Sequence, residues 1–134
     1  MLASMRTASC TCGQLKVSCE GEPIRVSMCH CLNCKRRSGS AFALTARWPS
    51  ERVTIEGRGQ EFKLVGDEGS TATFRFCPTC GATVYFDSDM MPGMIAVPVG
   101  AFADPTFPAP TVVVYSTRRH PWAVMPELAA EEYD

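Results

Sequence analysis

Eight cysteines punctuate the chain, and seven of them fall into three groups. Cys10 and Cys12 form a C-x-C pair. Cys29, Cys31 and Cys34 form a C-x-C-x-x-C triplet. Cys77 and Cys80 form a C-x-x-C pair followed by Gly81, and Cys19 stands alone. Thiolates at such spacings hold metal ions, and a structural zinc is closed by four ligands in a tetrahedron. The two pairs together supply four thiolates and would join the start of the chain to residue 80 across a long loop. That division leaves the triplet by itself. Three protein ligands with one vacant position are what a catalytic zinc has. The fourth position of the triplet is therefore expected to be kept for water or substrate. The most specific single element is "CPTCG", whose glycine lets the backbone turn under the metal.

The residues around the triplet each have two readings. His30 lies between two expected ligands; in an extended chain it points the other way, as an orienting or surface residue, unless it serves as ligand or proton carrier. His120, in "RRHPW", reaches a metal only by long-range folding. Lys35, Arg36 and Arg37 either form a solvated face or guide a carboxylate-bearing substrate toward an anionic tris-thiolate zinc. Ser38 to Ser40 make a turn that can also offer N–H groups to an anion. Cys19 shares a strand face with Leu15 and Val17 and belongs to the core. Trp48 and Trp122, beside proline-marked turns, are expected as core caps.

A free thiol has a pKa near 8.5, so little thiolate exists at neutral pH, and coordination to zinc removes the proton outright. Three cysteine thiolates give the complex a formal charge of −1, which makes the ion a weak Lewis acid. Delivery of a substrate thiolate is therefore favoured over activation of a carbonyl.

Composition restricts the alternatives. The 134 residues suit one domain, 1–134, and 46% apolar with 20% charged residues is ordinary for a soluble globular chain. A net charge of −1 disfavours a nucleic-acid partner. No apolar run is long enough to cross a membrane, and the start lacks a signal-peptide core. A cytoplasmic location is expected, and in a reducing compartment clustered cysteines point to metal before disulfides. Dithiol exchange at Cys31 and Cys34 would suit the C-x-x-C spacing, but no βαβ pattern accompanies it.

The elements that must position these groups read as short strands. "QLKVSCE" alternates, "IRVSM" repeats the alternation with Ile24, Val26 and Met28 on one face, and the two suggest a hairpin. One helical turn is expected through Asn33 to Arg37. "AFALTAR" reads as a buried strand broken by "WPS", and "RVTIEG", "EFKLVG" and "TATFRF" follow as further strands. After the "CPTCGA" knuckle come "TVYF", the loop "DSDMMPG", and "MIAVPVG", whose Pro98 argues for an edge or a bulge. "ADPTFPAPT" is a proline-rich connection, "VVVYS" a last strand, and "PELAAEEY" a short terminal helix.

Three ordered motifs, "CTCG", "CHCLNC" with "RRSGSAF", and "FCPTCG", together with the closing "YSTRRHPW", resemble the family of glutathione-dependent formaldehyde-activating enzymes and centromere protein V. The likeness spans about residues 9–127. It implies a mainly β fold of short antiparallel strands, of the β-tent type. It also implies a structural zinc on Cys10, Cys12, Cys77 and Cys80 and a catalytic zinc on Cys29, Cys31 and Cys34. The implied activity is carbon–sulfur lyase chemistry, forming or cleaving the S-hydroxymethyl adduct of glutathione, or a similar small thiol, with formaldehyde or another aldehyde. The competing expectation is a non-catalytic zinc-stapled β module for protein interaction.

Overall fold

The computed structural model describes residues 4–66, 68–123 and 131–133. The protein is mainly β. A small sheet has the order β1-β2-β5, formed by Met5–Ser9, Lys16–Glu20 and Val53–Glu56. A larger sheet has the order β11-β10-β3-β4-β9-β8-β7-β6. Its strands are β3 (Arg25–Cys29), β4 (Ala43–Pro49), β6 (Gln60–Val65), β7 (Thr71–Phe76), β8 (Thr83–Ser88), β9 (Met94–Pro98), β10 (Val112–Val114) and β11 (Glu131–Glu132). One helix, α1 (Leu32–Ser38), lies between β3 and β4. Among the described residues no helix is long and apolar enough to cross a membrane.

The expected hairpin between β2 and β3 does not form. β2 pairs with β1 and β5, whereas β3 pairs with β4 and β10. Gly21, at φ +76, turns the chain out of the small sheet, and Ile24 N–H then donates to Arg47 O at 2.9 Å. Alternation in the two runs correctly marks strands but carries no information on their partners. Ile24 is exposed, while Val26, Ser27, Met28 and Cys29 are all buried. β3 is a central strand covered on both faces, so its simple in-out alternation breaks down.

β4 extends through Trp48 and Pro49, two residues beyond its expected end. β9 is an interior strand between β4 and β8. Pro98 is tolerated because it is the last residue of β9, opposite Thr45, where the ladder ends. The proline-rich segment after Phe102 carries no strand, as expected, and leads into β10. The sheets are antiparallel except at β10, which runs parallel to β3 and to β11. The terminal helix expected over 126–133 falls mostly outside the described residues; its described part, Glu131–Glu132, is strand.

The two sheets meet in a core of Leu15, Val17, Cys19, Ala46, Trp48, Val84 and Val97. Cys19 and Trp48 lie in it as expected. Trp48 is fully buried, its indole N–H donates to Gly21 O at 3.1 Å, and its ring packs against Phe102 at 5.5 Å. Trp122 is no core cap: it is exposed and stacks on His120.

In antiparallel pairs, directly opposed residues share a sheet face. Cys29 opposes Ala43, Ser27 opposes Thr45 and Arg25 opposes Arg47. Ala46 and Trp48 face the core, so Cys29 and Arg47 lie on the other face.

Candidate functional site

Two groups of sulfurs assemble. The Sγ atoms of Cys10, Cys12, Cys77 and Cys80 all lie within 4.8 Å of one another, and so do those of Cys29, Cys31 and Cys34. In a tetrahedral zinc site, bonds of about 2.3 Å place sulfurs about 3.8 Å apart. Cys10 to Cys12 and Cys12 to Cys77 are each 3.6 Å. These separations fit shared coordination and are far beyond a disulfide bond of about 2.05 Å. All eight cysteines are free thiols.

The four-sulfur group is held by backbone that folds back under each sulfur. Cys10 directly follows β1; its Sγ accepts from Leu15 N–H at 3.3 Å. A register shift between Arg75 and Phe76 delivers the chain to Cys77, whose Sγ accepts from the N–H groups of Thr79 and Cys80 at 3.3 and 3.5 Å. Gly81, at φ +83, closes the knuckle. Gln14 braces the group from outside: its Nε2 donates to Cys77 Sγ at 3.0 Å and to Arg58 O at 2.7 Å, while its Oε1 accepts from Arg58 N–H. Burial works against charge at Cys77, yet the Gln14 amide and these N–H groups outweigh it and hold the thiol at about 5. Sequence reasoning missed Gln14, because only the fold brings residues 14, 58 and 77 together.

The triplet is built by one strand end and one helix start. Cys29 closes β3. Cys31 is the N-cap of α1, and its Sγ accepts from Cys34 N–H at 3.2 Å. Cys34 sits in the first turn. Hydrogen bonds from the Cys29 and Cys34 thiols, joined by N–H groups of Cys34 and Asn33, pull Cys31 well below the usual thiol range against the effect of burial. The same contacts push Cys29 upward. Cys31 is therefore the sulfur readiest to be a thiolate.

A match to the model of the glutathione-dependent formaldehyde-activating enzyme family covers residues 5–118. The chain belongs to this family. Its fold is also similar to a crystal structure of a Rhodobacter sphaeroides protein, with TM-score 0.56 and 22% identity, over 71% of this chain and 85% of that one.

In this family member the triplet borders a cavity of about 350 Å³. Cys31 and Cys34 line it, together with Arg36, Arg37, Arg47 and Arg118. Among the described residues the ion pairs involve only Arg6 and Arg75, so none of these four arginines has a carboxylate within pairing distance. Of the three basic residues expected near the triplet, Arg36 and Arg37 reach this cavity. Lys35 is turned away, its Nζ donating to Arg118 O.

Arg47 and Tyr115 are further lining residues that sequence reasoning missed. Arg47 is half-buried on β4, and its Nη1 donates to Ser27 Oγ at 3.2 Å. Burial, then Arg25, weigh against its charge, while the sulfurs of Cys29 and Cys34 favour it. A charged residue in an otherwise apolar run, "AFALTAR", was the available signal. Tyr115 follows β10, whose pairing sets Val114 beside Cys29. It holds the left-handed conformation at φ 54, and Arg118 lies over its ring at 4.9 Å. Non-glycine residues held in that region cost about 1–3 kcal/mol and cluster at functional sites.

Neither histidine joins a sulfur group. His30 stands outside the sulfur group, and it is no surface residue. It is 0% exposed, its ring packs against Phe42 at 5.8 Å, and among the described residues neither ring nitrogen has a hydrogen-bond partner. His120 stacks on Trp122 at 5.0 Å.

Proposed function

We propose that the chain is a zinc-dependent carbon–sulfur lyase that forms or cleaves the S-hydroxymethyl adduct of glutathione or a similar small thiol. The observation that carries this reading is the unequal closure of the two sulfur groups: among the described residues four thiols converge at one and three at the other, and two of those three, Cys31 and Cys34, border a cavity.

Cys10, Cys12, Cys77 and Cys80 would hold a structural zinc. Cys29, Cys31 and Cys34 would hold a second, which would supply a position that stabilises a substrate sulfur as its thiolate. In the forward direction one carbon–sulfur bond forms between thiol and aldehyde. The carbonyl π pair becomes an O–H bond, and the thiol proton ends on that oxygen.

The chain's own groups orient the reactants. Arg36, Arg37, Arg47 and Arg118 present guanidinium groups to the carboxylates of a glutathione-like thiol. Arg47 also offsets the negative charge of the triplet from behind. Tyr115 lines the same cavity, and burial, followed by the nearby Glu68 and triplet sulfurs, raises its pKa and keeps its hydroxyl protonated. That hydroxyl can donate a hydrogen bond to the adduct oxygen. Eight free thiols suit a reducing compartment, and we assign the protein to the cytoplasm.

The test is adduct exchange followed by NMR with glutathione, formaldehyde and zinc-loaded protein. The reading predicts acceleration over the spontaneous reaction that is lost in Cys31→Ser. Equal rates with and without protein would favour the non-catalytic module.

A further inference from the structure

The face of the large sheet that carries Arg47 continues into an aromatic floor. Register opposes Arg47 to Ala96, Ala96 to Phe86, Phe86 to Phe74 and Phe74 to Phe62. These five residues form one row across five strands, from the cationic wall beside the triplet to the sheet edge at β6. The Phe74 and Phe86 rings meet at 4.8 Å, and the Arg37 guanidinium sits 5.1 Å from each. Arg37 Nε is enclosed without an acceptor among the described residues.

Along this row lies a trough of about 520 Å³, lined by Phe62, Leu64, Phe74 and Phe76 with Arg36 and Arg37 above. Leu64, Phe74, Arg36 and Arg37 line the triplet cavity as well, so the two spaces adjoin. Phe62 remains 57% exposed at the outer end. An apolar floor of this extent does nothing for an adduct whose aldehyde-derived part is a bare hydroxymethyl group.

We propose that the trough is a subsite for an apolar substituent on the substrate sulfur. The preferred adducts are then those of a larger aliphatic or aromatic aldehyde with a carboxylate-bearing thiol. This rests on reading the triplet as the site of a thiol substrate. The two ends of a glutathione-like thiol are charged and belong with the arginines, so apolar atoms enter through the sulfur. In the corresponding reaction the thiol adds to the carbonyl carbon of R–CHO: one C–S bond forms, the carbonyl π pair takes the thiol proton, and R lies against the aromatic row.

The experiment measures calorimetric affinities of zinc-loaded full-length protein for S-hexylglutathione and S-methylglutathione, with Phe62→Ser and Phe62→Leu as variants. The hexyl ligand should bind at least about tenfold more tightly than the methyl ligand. Phe62→Ser should shrink that ratio about threefold or more without changing the methyl affinity, and Phe62→Leu should preserve it. A ratio within about twofold of unity, undetectable hexyl binding, or a ratio that Phe62→Ser leaves intact would each overturn the subsite. So would a dimer that Phe62→Ser dissociates, because the trough would then be covered by a second copy. Equal affinities in a protein that turns over the hydroxymethyl adduct would remove the subsite alone. Graded affinities in a protein without turnover would remove the lyase reading alone.

Discussion

Cys31 caps the helix that carries Cys34 in its first turn: the Cys34 backbone N–H donates to Cys31 Sγ at 3.2 Å. That single contact sets two of the three triplet sulfurs on a rigid turn, and β3 brings the third, Cys29, from the sheet. Replacing Cys31 by serine keeps a competent cap, since serine is a favoured N-cap residue. Cys31→Ser should therefore lose one metal equivalent and leave thermal stability nearly unchanged. Its turnover should fall by more than the roughly 10–100-fold that loss of an outer-sphere partner costs. Metal analysis, a melting curve and the adduct-exchange assay check the three parts.

The four-sulfur group should behave in the opposite way. It links the turn after β1 to the turn after β7, segments about which the small and large sheets are organised. Structural zinc contributes roughly 10–16 kcal/mol of apparent binding energy in small zinc peptides. Cys80→Ser should unfold the chain or lower its melting temperature sharply, and a strong chelator should do the same to the wild type. Calorimetric melts of both check this.

Gly57 makes a close approach that no other residue permits. It lies at φ +93, and a Cβ there would stand 1.9 Å from Gln14 O. Gly57→Ala must displace the segment whose side chain braces Cys77. A loss of at least about 1 kcal/mol is expected, with weakened metal retention at the four-sulfur group. Urea denaturation and competition with a chromophoric chelator measure the two effects.

The proposed function gives Arg47 a role in substrate binding more than in the fold. Arg47→Met keeps length and apolar contact but removes the charge behind the triplet. Since a hydrogen bond to a charged group is worth about 1.5–3 kcal/mol, the KM for an anionic thiol should rise about ten- to hundredfold. Metal content should not change. Kinetics at two ionic strengths check it, because the wild type should lose more affinity with added salt than the variant.

Cys19 gives the alkaline limit of stability. Burial pushes its thiol up to about 12 from the ordinary 9.0. The folded-state pKa is raised, so this contribution is fully present below the unfolded value and is lost as pH rises from about 9 towards 12. Stability should decline over that window, and Cys19→Ala should decline less steeply. Denaturation at a series of alkaline pH values checks the slope.

Much of this arrangement is visible in the primary structure. The cysteine spacings announce both sulfur groups, because ligand geometry is local within each motif and the knuckle glycine is explicit. Strand positions follow from alternation, and Cys19 falls in the core for the same reason. Strand partners do not follow: alternation in "KVSCE" and "IRVSM" is satisfied equally by a hairpin or by two sheets, and long-range packing chose the second. Tyr115 and Gln14 were likewise illegible, and Arg47 was marked only as a charge in an apolar run. Each gains its role from a neighbour across a strand or beyond a turn, and nothing in its immediate surroundings reports that neighbour.

The central claim is that one metal centre is enclosed and the other is open to a thiol. It is tested most directly by cobalt(II)-substituted protein titrated with glutathione while sulfur-to-cobalt charge-transfer absorption is recorded. The account predicts two cobalt ions per chain, one for each sulfur group, with an increase in absorption that saturates at one glutathione and is absent in Cys31→Ser. A single cobalt per chain, or two whose spectrum glutathione leaves unchanged, would contradict it.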